Sequence, residues 1–145
     1  MQTKRYRPKI DKLFLIVWIP TAAIMLAVTV VPAVFEPVTL FWTLPTDLFV
    51  AYFLVSSLVG YVELREKSLF IKYGFILKKE IPYSKIRSVA KVRKWYSETM
   101  LSMKNSMEHV NIKYNSFDVT SVSVKDNDAL IEELKARRAA ILENK

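Results

Sequence analysis

Residues 13–35 make up a run of 23 positions without a single charged side chain. As a helix rising about 1.5 Å per residue the run reaches about 34 Å, enough to cross a hydrocarbon core of about 30 Å. Lys4, Arg5, Arg7, Lys9 and Lys12 precede it and Glu36 follows it, which puts the N-terminus inside under the positive-inside rule. The run is too long for the apolar region of a signal peptide, and it lacks a small-x-small site at its end. A second apolar segment follows almost at once, so the features argue against cleavage.

That second segment, residues 38–62, carries one charge, Asp47, just after Pro45. Two readings stand. A helix beginning at Thr46 would leave Asp47 in its first turn as a cap near the interface, with Phe41 and Trp42 in the aromatic belt; this is the preferred reading. A helix beginning near Leu40 would bury Asp47 two turns in, and an acid within a membrane is by default a functional-site candidate. No second ionisable residue lies in either span to serve as its relay partner. The short link at Glu36-Pro37 makes the spans an antiparallel hairpin about residues 13–35 and 40–62, returning the chain to the side it left.

The remainder, residues 63–145, alternates apolar and charged positions, with 17 Lys or Arg against 11 Asp or Glu. The whole chain carries a formal charge of +8, which favours an anionic partner, and the anion nearest to an apolar span is the lipid headgroup. Nucleic acid is the weaker candidate. The lack of cysteine removes disulfides, thiolate nucleophiles and cysteine-ligated zinc, and two glycines, Gly60 and Gly74, cannot build a phosphate-cradling loop.

Residues 68–73 and 75–83 read as two strands meeting at Gly74, where a positive φ costs least. Over residues 85–93, strict alternation places Ile86, Ser88, Ala90 and Val92 on a core face, with Lys85, Arg87, Val89, Lys91 and Arg93 opposite. Residues 107–114 and 117–124 read as a hairpin across Asn115-Ser116. Phe117 and Val119 fall out of phase with Val122 and Val124, for which a bulge near Thr120 is expected. Residues 95–105 read as a loop with a short strand. Asp126 caps a final helix, 126–142, in which Arg137 and Arg138 interrupt the apolar stripe, so its last turns are expected to project past the sheet.

The order of these pieces resembles the bacterial pleckstrin-homology-like domain proteins, in particular their YyaB-like branch. The resemblance rests on Tyr61-Val62-Glu63-Leu64, on the run from Ser68-Leu69-Phe70 through Ile71-Lys72-Tyr73-Gly74, and on Ile81-Pro82-Tyr83-Ser84-Lys85-Ile86. It continues through Ser106-Met107-Glu108, Ile112-Lys113-Tyr114 and Val122-Ser123-Val124-Lys125-Asp126. Val124 stands where the pattern has proline and Asn115 where it has glycine. The resemblance implies an α+β fold: a transmembrane helical hairpin followed by a PH-like bent antiparallel sheet, or partly open barrel, plugged by the C-terminal helix. It also implies a binding or assembly module, and a fold alone does not carry an activity.

Catalytic, metal and cofactor motifs are not found. His109, the only histidine, falls on the polar face of its strand and is expected at the surface, and Glu132 and Glu133 read as a solvated pair on a helix. The candidate surface for lipid or a partner is Lys85, Arg87, Lys91, Arg93 and Lys94 with Trp95, next to Tyr96; Lys78 and Lys79 extend it. Charges that keep a sheet edge from pairing are the plain alternative. The expectation is an integral protein of the bacterial inner membrane, both termini cytoplasmic, that binds an unknown protein partner or anionic lipid without cofactor or catalysis. The rival is a small transport- or immunity-type protein whose hairpin, with Asp47, forms a homo-oligomer and does the work.

Overall fold

The computed structural model describes residues 2–99 and 102–143. Helix α1, Lys12–Phe35, is as expected, and among the described residues it is the one helix long and apolar enough to cross a membrane. It carries Pro20 and Pro32 inside it, and Glu36 N–H closes its end on the Pro32 carbonyl at 2.8 Å. After a 3-10 turn at Pro37–Thr39 the chain returns as α2, Leu40–Val59, packed on α1.

The start of α2 corrects the preferred placement of Asp47. The helix begins at Leu40, six positions before Thr46, so Asp47 is interior rather than a cap. Pro45 does not stop it, because a proline six positions into a helix lacks only the N–H that would reach back one turn. On either side of it the hydroxyls of Thr43 and Thr46 donate to the Thr39 and Trp42 carbonyls, each one turn back.

Among the described residues eight strands, one before the hairpin and seven after it, form two sheets. Strands β1 (Lys4–Tyr6), β2 (Tyr61–Leu64), β3 (Ser68–Tyr73) and β4 (Leu77–Pro82) form the first, antiparallel in that order. The second has the order β5 (Ile86–Arg93), β7 (Glu108–Tyr114), β8 (Asp118–Val122), β6 (Ser102–Met103), and β6 runs parallel to β8. Helix α3, Asn127–Glu143, closes the chain on β5 and β7. The barrel is not closed. Residues 7–9 stitch the sheets through an isolated Pro8–Val124 bridge, but no ladder joins β4 to β5 among the described residues. Leu64, Leu69, Ile71, Ile81, Val110, Ile112, Val122, Leu130 and Leu134 fill the space between.

Strand β1 was not expected: the N-terminal basic segment is a strand of the domain. Arg5 faces Glu63 across the ladder, donating to its carboxylate at 3.2 Å, with its guanidinium 4.0 Å from the Tyr61 ring. Arg65 and Arg5 together hold the Glu63 carboxyl below its usual range. Alternation of Lys, Arg and Tyr over three residues is too short to register as a strand, and the partner it needs lies beyond the hairpin.

The Gly74 turn is as expected, with φ at +73°. The other turn keeps its geometry without glycine. Asn115 takes φ +50° and donates from Nδ2 to Asp118 at 2.7 Å, since asparagine tolerates the left-handed region better than other side chains. At the second departure, Val124 N–H donates to Asn127 Oδ1 at 3.0 Å, a bond that proline cannot make. Asp126 caps α3, accepting from Ala129 N–H at 3.0 Å.

Three other expectations are corrected. The bulge falls at Arg87, not near Thr120: Ile86 pairs with Tyr114 and Ser88 with Lys113, so every side chain after Arg87 changes face. Val89 then packs on the core while Ser88 and Ala90 are exposed. Strand β8 keeps register because Thr120 takes the core position and shares a hydrogen bond with the Tyr73 hydroxyl, leaving Phe117 outside. Burial pushes that tyrosine up to about 12. Finally α3 does not overshoot the sheet, because Arg137 is buried against it and Ile141 packs on the core.

Candidate functional site

The domain has two ends, set by strand direction. At the hairpin end lie the α1 and α2 junctions, the β3–β4 turn and the segment after β5. At the far end lie residues 65–67, 83–85 and the β7–β8 turn.

This axis divides the basic strand. Lys85 and Arg87 stand at the far end, both exposed, where Arg87 donates to the Ser116 carbonyl at 3.1 Å. Lys91, turned by the bulge, reaches Asp128 at 2.9 Å and Glu108 at 4.0 Å, and the Asp128 contact holds its ammonium above the usual value. Arg93, Lys94 and Trp95 stand at the hairpin end. Lys94 pairs with Glu98 at 2.9 Å and lies 5.3 Å from the Tyr96 ring, while Trp95 is 83% exposed. The cations therefore do not share one face.

Beside the far cations, Phe117 is 96% exposed at the tip of the β7–β8 turn. With Arg87, Lys113 and Tyr114 it borders a cavity of about 400 Å³. The sequence reads Phe117 as the first residue of a strand; β8 begins one position later, at Asp118, and Phe117 projects into solvent.

His109 is fully buried, which corrects its surface placement. Both faces of β7 are covered: Val110 and Ile112 look inward, while residues 94–99 and 102–107 bring Lys94, Glu98 and Lys104 to the outer side. Nδ1 lies 3.2 Å from the Met107 carbonyl, which can only accept, so Nδ1 carries the proton, and Nε2 has no hydrogen-bond partner among the described residues. Burial holds the imidazole below its ordinary basicity.

Glu133 is not a free helix charge either. It accepts from Arg137 at 2.9 Å and from Lys4 at 3.3 Å, and both hold its carboxyl below the usual range. Within the hairpin, Thr29 is the one buried residue of α1, and its hydroxyl donates to the Asp47 carboxylate. Among the described residues no group of three His, Asp or Glu side chains is placed to hold a metal ion.

The domain is thus a two-sheet α+β unit plugged by a C-terminal helix. The bacterial PH domain family model matches residues 60–138, more than half of the chain, and the protein belongs to that family. No curated protein and no solved structure matches the chain.

Proposed function

We propose that this is a membrane-anchored binding module. The α1–α2 hairpin crosses the inner membrane, the bacterial PH domain and both termini lie in the cytoplasm, and the domain holds a protein partner at the membrane surface. One observation carries the anchor: β1 and β2, which lead into and out of the hairpin, are neighbours in one sheet, so the domain sits at the hairpin's base. All 22 Lys and Arg residues lie outside residues 13–62, on the domain's side, as the positive-inside rule requires. The order of motifs supports a place in the YyaB-like branch. We assign the domain recognition rather than catalysis.

The far end supports a protein partner over lipid, because Arg87, Lys113 and Phe117 are turned away from the hairpin. Anionic lipid is the second reading, favoured by Arg93 and Lys94 at the hairpin end. Two measurements test these points. An impermeant thiol reagent on intact cells should label Val38→Cys and leave Glu132→Cys unlabelled until the membrane is opened; the reverse pattern refutes the orientation. A photo-crosslinker at Phe117 should give a discrete protein adduct that weakens with Arg87→Gln, and adducts to lipid alone would favour the second reading.

A further inference from the structure

We infer that the domain does not hang from its anchor but docks onto the bilayer, inserting two apolar turns into the leaflet from which the hairpin emerges. The inference rests on the proposed anchoring and adds to it a membrane contact made by the domain itself.

The first turn is Phe75 and Ile76, between β3 and β4, with Leu77 opening β4; Ile76 is 73% exposed. The turn lies along α2. Gly74 packs against Ser56 so closely that a Cβ there would run into that side chain, and Ser56 Oγ donates to the Tyr73 carbonyl at 3.4 Å. The Phe75 ring lies 6.3 Å from that of Tyr52.

The height of that contact decides the matter. Helix α2 has 20 residues, about 30 Å, which is the thickness of the hydrocarbon core with nothing to spare. Tyr52 precedes the last residue, Val59, by seven positions, so Phe75 lies about 10 Å up the helix from its base. Were the turn in water, only residues 40–51 would remain to span, about 18 Å. A hairpin that crosses the membrane therefore carries this turn into the lipid.

The second turn is Trp95-Tyr96, on the α1 side. Trp95 shares a groove of about 560 Å³ with Leu13, Phe14, Val17 and Trp18, the first two turns of that helix. Apolar tips thus flank both helices at their base. Cations sit just behind each tip: Lys72 and Lys78 face each other one step below the Tyr73–Leu77 pair, and Arg93 and Lys94 immediately precede Trp95. Aromatic and aliphatic side chains ahead of lysine and arginine match the order of acyl chains and phosphates in a leaflet. The occupant is the bilayer surface.

The test uses the full chain, whose lack of cysteine allows single thiol labels. Ile76→Cys, Trp95→Cys, Val28→Cys and Phe117→Cys are each labelled with an environment-sensitive dye and reconstituted in phosphatidylcholine vesicles containing phosphatidylglycerol. Nitroxide lipids then quench by depth. Docking predicts quenching by lipid nitroxides at positions 76 and 95 several-fold above that at 117, and quenching by deep nitroxides at 28. Quenching at 28 with 76 and 95 as unquenched as 117 overturns docking, keeps the anchor, and leaves the two turns to a protein partner. No quenching at 28 overturns the anchor, and docking with it.

Discussion

Arg137, near the end of the last helix, donates from Nη2 to the backbone carbonyl of Gln2 at 2.7 Å, across 135 positions of sequence. Its Nη1 reaches the carbonyls of Leu64 and Arg65 at 3.3 and 3.0 Å, and Glu133 neutralises it. One guanidinium, 5% exposed, therefore ties β1, β2 and α3 at the end of the domain away from the hairpin. Removing it takes a charged donor from three carbonyls and a carboxylate, of which the Arg65 carbonyl keeps the Tyr83 hydroxyl and Glu133 keeps Lys4. Arg137→Met is expected to cost on the order of 3 kcal/mol. Arg137→Lys should recover only part of this, since one ammonium cannot reproduce the fork. Denaturant unfolding of the full chain in detergent measures the loss, and faster amide exchange over residues 4–6 would locate it.

Gly74 is required twice, for its φ of +73° and for its contact with Ser56. Gly74→Ala should destabilise the fold by roughly 2–3 kcal/mol, combining the left-handed strain with overpacking against α2. Gly74→Asn relieves only the first of these, so an asparagine variant as stable as the parent would refute the packing contribution.

The buried imidazole of His109 makes stability depend on pH. Its folded-state value lies below the ordinary 6.5 because burial disfavours the charged form. Above about pH 6.5 both folded and unfolded chains hold it neutral, and its contribution is complete. As pH falls below 6.5 the unfolded chain takes up the proton first, so stability declines until the folded value is passed. The decline attributable to this group is less than the ~1.4 kcal/mol per pH unit that one proton can supply. Unfolding midpoints at pH 7.5 and 5.5 should differ in the parent and converge in His109→Leu; an unchanged difference would place the effect elsewhere.

The Thr29–Asp47 bond joins the two helices of the hairpin, and it gives Asp47 a structural task. Asparagine can accept the same hydrogen bond. Asp47→Asn should leave both the hairpin and the passive proton permeability of reconstituted vesicles unchanged, whereas Asp47→Leu should weaken helix association by about 1 kcal/mol. A collapse of proton movement in the asparagine variant alone would instead establish the transport-type reading.

What the sequence disclosed depended on how local the cause was. The Gly74 turn, the Asp126 cap and the apolar run of α1 are each set by a few adjacent residues, and they stand where pattern places them. Strand β5 shows the limit. Alternation from Ile86 onward is real, yet one extra residue at Arg87 turns the strand over and sends Lys91 to Asp128. His109 and Arg137 were misjudged for a related reason. Both are polar residues whose burial is decided by segments far off in sequence, residues 94–107 for one and the N-terminus for the other. The basic patch was legible as composition, but its division between two ends of the domain follows from strand direction. Phe75 and Ile76 gave no sign of a role until the turn was seen lying along α2.

Strand β1 has a consequence for the order in which the molecule can be made. Arg5 emerges from the ribosome 58 residues ahead of Glu63, its partner across the ladder, and the whole hairpin is synthesised between them. The first strand must wait, unpaired, until the second helix has come back. If the hairpin crosses the membrane as proposed, a chain with only one helix inserted would strand Lys4–Tyr6 on the opposite side from β2 and leave a sheet edge open. On that reading, completion of the sheet reports that both helices have inserted, and an unfinished domain, with that edge of β2 unpaired, would be the more readily proteolysed form.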